Sequence, residues 1–122
     1  MPKSKSISAL ANALIIIAAE AQARRKVAKL ANLPSGALPV LSLIVFRYEQ
    51  GKSSRPKTVY AAEIVNEALA RSYIRHLVAA KLIALTVRRG IRWLAPTLDG
   101  IGLAAKYYRA IRTGRYQIET YN

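Results

Sequence analysis

The chain has 122 residues, 52% of them hydrophobic, with 20 Lys and Arg against 6 Asp and Glu and a formal net charge of +14. That length is one domain, and that apolar fraction excludes a disordered chain. There is no cysteine and a single histidine, His76, which excludes disulfides, thiolate chemistry and the common cysteine or multi-histidine metal sites. So large a positive charge opposes the compact state and is ordinarily matched to a polyanion, so DNA, RNA and an anionic membrane surface are the partner classes to weigh.

Ser6 is an N-cap candidate for a long first helix running to about Ala31. Its opening, basic and then apolar with Ala21-Gln22-Ala23 following, imitates a secretory signal. The apolar run from Ile7 to Ala19 is too short to span a bilayer, and Arg24-Arg25-Lys26 leads into further helix-forming sequence. The segment therefore reads as an internal helix of a cytoplasmic, nucleoid-associated protein without a membrane partner. Apolar residues cover so much of its circumference that a small domain cannot cover them all, which makes a second subunit the natural cover.

Leu33-Pro34-Ser35-Gly36 is a turn. A second helix follows with Pro39 in its first turn, a stripe of Leu41, Ile44, Val45 and Tyr48, and Gly51 as its stop. The segment 51–57 is a polar, basic loop. Thr58 is the next N-cap candidate, opening a short helix that breaks at Asn66-Glu67, with a further helix from about Ala68 to Lys81. Ala70, Tyr73, Ile74 and Leu77 form its inner face. One continuous helix from Thr58 to Lys81 is the rival reading, since no glycine marks the break.

Leu85 to Trp93 is a β-hairpin, with Gly90 supplying the positive φ of a three-residue loop with a bulge. On this reading Leu85, Val87, Ile91 and Trp93 anchor the hairpin to the domain. Pro96 ends the second strand, Thr97 caps a last helix to about Gly114 with Asp99 in its first turn, and 115–122 is a tail.

The fold class is thus mainly α with a small β-hairpin. The order helix, helix, short helix, helix, hairpin, helix describes a winged helix-turn-helix with long terminal helices in one domain, 1–122. Its parts are an N-terminal dimerisation helix (1–33), a winged-helix core (37–95), a C-terminal helix (97–114) and the tail. In that arrangement a helix enters the DNA major groove and the hairpin reaches along the backbone. The expected DNA-binding residues are Lys52, Arg55 and Lys57 on the loop, Arg71, Ser72 and Arg75 on the reading helix, and Arg88, Arg89 and Arg92 on the wing. Arg71 and Arg75 lie one turn apart and share a face.

Ser72 to Ala104, "SYIRHLVAAKLIALTVRRGIRWLAPTLDGIGLA", resembles the core of multiple-antibiotic-resistance-regulator (MarR)-like winged-helix proteins. Leu77, Leu82-Ile83, the Arg88-Arg89-Gly90 tip, Thr97 and Gly100 fill comparable positions. Two departures stand out: Lys81 occupies a usual glycine position, and the glycine-containing turn before the reading helix is missing. The resemblance implies a homodimer built from the first and last helices on a roughly palindromic site. The interface expected from it and from the apolar excess is Ile7, Leu10, Leu14, Ile17, Tyr107, Tyr108 and Ile111.

No catalytic residues, metal ligands or cofactors are expected. Asp99 is the sole aspartate and serves a helix start, and neither a phosphate-binding glycine loop nor a nucleophile–base pair is present. A non-specific architectural, replication-associated or RNA-binding protein is the rival reading, and a protein–protein or membrane-surface module is a rival of another class. The sequence does not specify a small-molecule effector.

Overall fold

The computed structural model describes residues 2–120, with side chains described for 8–118. In chain order the elements are α1 (Pro2–Ala31), α2 (Ala37–Glu49), α3 (Pro56–Ala61), α4 (Glu67–Ala79), β1 (Ile83–Arg88), β2 (Ile91–Pro96) and α5 (Leu98–Thr120). This is the mainly helical, hairpin-containing architecture expected. The first helix starts at Pro2, so Ser6 stands within it and not at its N-cap. The last helix continues past Gly114 to Thr120, because nothing in Arg115–Thr120 breaks a helix, so 115–120 is helix and not tail.

The principal core is assembled from α2 (Val40, Leu41, Ile44, Val45), Val59 of α3, Ala70, Ile74 and Leu77 of α4, and Leu82, Ile83 and Leu94 around the hairpin. Each fully buried large aliphatic side chain among them contributes about 1.5–3 kcal/mol. Tyr48, expected on the α2 stripe, is exposed, since it falls on the last turn where α2 leaves the core. A second cluster joins α1 to α5 through Ala23, Val27, Ala28, Leu38 and Tyr107.

Three helices end in the same device, in which a residue at positive φ turns the chain back so that orphan carbonyls find donors. After α1 it is Asn32 (φ 57°), after α2 Gly51 (φ 75°), and after α4 Lys81 (φ 60°). In the last case Lys81 N–H donates to Val78 O at 3.0 Å and Leu82 N–H to Leu77 O at 2.9 Å. The lysine found at the usual glycine position therefore adopts the glycine conformation.

The break between α3 and α4 is real, which excludes the single-helix reading. It comes earlier than expected: α3 ends at Ala61, Glu63 supplies the positive φ (54°), and Asn66 is the N-cap of α4, its side chain accepting from Leu69 N–H at 2.9 Å. Thr58 is not the N-cap of α3. Arg55 holds that position, and Thr58 reaches back so that its Oγ1 accepts from Arg55 N–H at 3.1 Å.

The hairpin departs from expectation in register. The strands pair from Ile83↔Pro96 to Arg88↔Ile91, leaving a two-residue loop, Arg89-Gly90, with both residues at positive φ (53° and 75°) and no bulge. That is the primed turn favoured in two-residue hairpins. A three-residue loop would place Leu85 opposite Trp93. The observed register sets Leu85 opposite Leu94 and Thr86 opposite Trp93, and a slip of one residue exchanges the faces. The anchors are accordingly Ile83 and Leu94, both buried, while Leu85 and Val87 are exposed and Ile91 and Trp93 half-buried.

Candidate nucleic-acid interface

The loop after α2 is stitched to β2. Leu94 N–H donates to Ser54 O at 2.8 Å, forming an isolated antiparallel bridge beside the hairpin. Arg47, in the last turn of α2, fixes that loop from the other side: its Nε donates to Ser54 Oγ at 3.0 Å and its Nη2 to Ser53 O at 2.7 Å. Ser54 is fully buried. Arg47 lies outside the expected set, because an arginine one turn before a basic loop reads equally well as a solvated helix end.

This stitching places Lys52 and Arg55 at the base of the wing. The Arg55 guanidinium lies over the Trp93 ring, 5.7 Å from its centroid. Ser53, Arg88, Arg89, Ile91 and Trp93 line one surface recess of about 480 Å3, and Lys52 and Tyr48 belong to an adjoining one that shares Arg88 and Trp93. The loop and two of the three wing arginines are thus brought together. Arg92, opposite Val87, sits on the other face of the hairpin. Lys57, on the first turn of α3, is exposed.

The inner face of α4, Ala70, Ile74 and Leu77, leaves Arg71 and Arg75 exposed on the outer one. Arg71 Nη2 donates to Glu67 Oε1 at 3.0 Å, and its guanidinium lies over the Tyr60 ring at 5.7 Å. Hydrogen bonding to the Tyr60 side chain first, and the negative charge of Glu67 after it, push the Arg71 pKa above its ordinary value, so this side chain is a permanent cation. Among the described residues Arg75 has no hydrogen-bonded, ionic or ring partner. Ser72 is half-buried, and its carbonyl accepts from His76 Nδ1 at 2.8 Å. That hydrogen bond assigns the ring proton to Nδ1.

Thr97 joins the hairpin to the last helix as expected. Its hydroxyl donates to Lys81 O at 2.7 Å and accepts from Gly100 N–H at 3.1 Å. Gly100 lies against the chain after α4 so closely that a Cβ would fall 1.9 Å from Leu82 O.

Of the expected interface residues, Leu10, Leu14 and Ile17 are 62%, 57% and 63% exposed, an apolar stripe on α1 that the protomer does not cover. Ile7 lies outside the residues whose side chains are described. Tyr108 is exposed and carries Arg112 over its ring at 5.9 Å. Tyr107 is buried within its own protomer, because helical spacing turns it toward α1, where its hydroxyl donates to Glu20. It belongs to the α1–α5 core and not to an exposed face. Ile111 is half-buried and packs against the same cluster. Tyr107, Tyr108 and Ile111 also line an apolar groove of about 510 Å3 between α2 and α5, with Val45, Phe46 and Ile101. Among the described residues no helix is long and apolar enough to cross a membrane.

Comparison with solved structures finds the same fold in several bacterial regulators. The transcription regulator MepR of the Staphylococcus aureus multidrug efflux pump MepA aligns with a TM-score of 0.70 at 16% identity, over 88% of this chain and 78% of its own. The oxidised form of Escherichia coli MarR aligns at 0.65 and 12% identity, over 86% and 74%. The Thermotoga maritima transcriptional regulator Tm0710 aligns at 0.65 and 13% identity, over 98% and 80%. The chain therefore has a MarR-like winged-helix fold, as the resemblance of Ser72–Ala104 implies. No protein-family model matches the chain, and no curated protein matches it in sequence.

Proposed function

We propose that this chain is a dimeric winged-helix transcriptional regulator that binds double-stranded DNA. The outer face of α4 enters the major groove, and the arginine-tipped wing lies on the backbone toward the neighbouring minor groove. The observation that carries this reading is the placement of α3. At its start Arg55 rests on Trp93 of the wing, and near its end Tyr60 underlies Arg71 of the reading helix. One short helix thus braces both basic elements. The segment 52–92 holds nine Lys and Arg against Glu63 and Glu67. Phosphate contacts supply affinity there and base-edge contacts supply discrimination.

The exposed apolar stripe of Leu10, Leu14 and Ile17 on α1 and the exposed Tyr108 on α5 support a two-fold dimer built from the first and last helices, to which the half-buried Ile111 also contributes. Two copies related in this way present two reading helices to a roughly palindromic site. The fold neighbours are transcription regulators rather than enzymes, which agrees with a binding role.

A second reading, non-specific architectural binding, is favoured by one observation: exposed cations also occur on α1 (Arg25, Lys26, Lys29) and α5 (Lys106, Arg109). Fluorescence-anisotropy titration separates the two, using a duplex enriched from a randomised pool and a random duplex at several salt concentrations. The regulator reading expects tight, salt-dependent binding with clear preference for the enriched duplex. Equal binding to both duplexes establishes the architectural reading, and no binding at low salt overturns both. Replacing Arg88 and Arg89 together by Ala is expected to weaken both duplexes similarly.

A further inference from the structure

Arg71 and Arg75 are equivalent by spacing, one turn apart on the same outer face of α4, yet the structure treats them differently. Arg71 is held from two sides: Glu67, one turn earlier on α4, pairs with its Nη2 at 3.0 Å, and Tyr60 of α3 offers its ring face beneath the guanidinium at 5.7 Å. All these contacts are made at the surface, since the Arg71 and Glu67 side chains remain 62% and 57% exposed. Nothing about the core requires them. Asn66 already caps α4, so Glu67 is not needed to satisfy the helix start. Arg75 has no comparable hold.

We infer that Glu67 and Tyr60 are positioning residues that fix Arg71 as the sequence-discriminating arm of the reading helix, while Arg75 is a mobile phosphate contact. The inference rests on the DNA-binding reading and deepens it. A guanidinium fixed in plane and direction is suited to a base edge, where a bidentate contact tolerates little misalignment. A free one follows the phosphates wherever they lie. Glu67 also has a second effect, because a carboxylate on the DNA-facing end of α4 repels phosphates on any sequence. Only a duplex that offers Arg71 its base-edge partner offsets that repulsion. The pair therefore raises discrimination by lowering non-specific affinity, a difference between two affinities and not a gain in one.

The test compares an enriched duplex with a random duplex, for the full-length protein and its variants, across a salt series. Glu67→Gln keeps the side chain's size and removes its charge. Its expected result is tighter binding to the random duplex and little gain on the enriched one, so that their affinity ratio falls about tenfold. Tyr60→Phe, which removes the hydroxyl and keeps the ring, is expected to lower the ratio in part, and Tyr60→Leu, which removes both, to lower it further. Arg71→Ala is expected to collapse the ratio. Arg75→Ala is expected to weaken both duplexes equally and to reduce the slope of log affinity against log salt by about 1.

An unchanged ratio in Glu67→Gln, with both duplexes tightened alike, overturns the inference while leaving the DNA-binding reading intact. So does a ratio that collapses with Arg75→Ala and survives Arg71→Ala. Failure of the unsubstituted protein to bind any duplex overturns the DNA-binding reading itself. Circular dichroism of Tyr60→Leu guards against a lost ratio that reflects a lost fold.

Discussion

Tyr107 on α5 donates its hydroxyl hydrogen to the carboxylate of Glu20 on α1, 87 residues away in sequence. Arg24 pairs with the same carboxylate at 3.3 Å. This bond clasps the first and last helices of one protomer, and burial followed by the Glu20 hydrogen bond pushes the Tyr107 pKa upward.

Removing the hydroxyl alone, Tyr107→Phe, leaves Glu20 its arginine and costs about 1–2 kcal/mol of stability near neutral pH, read by urea denaturation. The pH dependence has a definite sign. Above pH ~10 the unfolded chain loses the Tyr107 proton while the folded chain keeps it, so the clasp's contribution, complete below that value, declines as pH rises. The gap between wild type and Tyr107→Phe is expected to narrow from pH ~10 upward. A gap that widens there contradicts the assignment.

Lys81 carries a side chain in a backbone conformation that favours glycine. Lys81→Gly relieves that strain at the end of α4, and the Thr97 hydroxyl still finds the residue-81 carbonyl. The expected gain is about 0.5–1 kcal/mol in denaturant midpoint experiments, reduced in part by the freer unfolded chain.

Gly100 and Gly102 make a matched pair two residues apart on α5. A methyl group at Gly100 collides with Leu82 O, whereas one at Gly102 meets nothing within 4 Å. Gly100→Ala is therefore expected to cost about 3 kcal/mol or more through displaced backbone, and Gly102→Ala to stabilise by about 0.5–1 kcal/mol. Thermal unfolding of the two variants is expected to move in opposite directions.

Leu14 and Ile17 have little to do with the protomer's own core, so their joint replacement by Glu tests association without threatening the fold. Light scattering is expected to change from twice 13.4 kDa to 13.4 kDa, with helical content retained. Affinity for a palindromic duplex is expected to fall in step. A variant that stays dimeric rules out this stripe as the interface.

Much of this molecule was legible in the sequence because helices and turns announce themselves locally. Apolar spacing located the helices, Gly51 the end of α2, and Thr97 the start of α5. Local spacing misleads at turns that no glycine marks, and it is silent where a contact depends on partners far along the chain. Arg89 adopts positive φ beside Gly90, but only glycine advertises it, so the sequence alone suggests a loop one residue too long and exchanges the hairpin faces. Asn66 attracts the α3–α4 break by its tolerance of the left-handed conformation, but its side chain caps α4, while the unmarked Glu63 makes the turn. The site was legible as a list of cations. That Arg47 ties down the loop, that Trp93 supports Arg55, and that Tyr60 and Glu67 distinguish Arg71 from Arg75 are relations that no spacing encodes.

The Ser54–Leu94 bridge gives the hairpin a clamped root and an unsupported end, like a beam fixed at one side. Ile83 and Leu94 bear the load, Arg55 braces Trp93 just above them, and beyond that contact no buried side chain restrains the arm. Its reach is then a free variable. Adding two residues to each strand moves the tip outward by about 6.8 Å and restores every side chain to its original face, without disturbing the root. Adding one to each inverts the faces beyond the insertion. Arm length in such a protein can change in paired steps while the body it is bolted to stays the same.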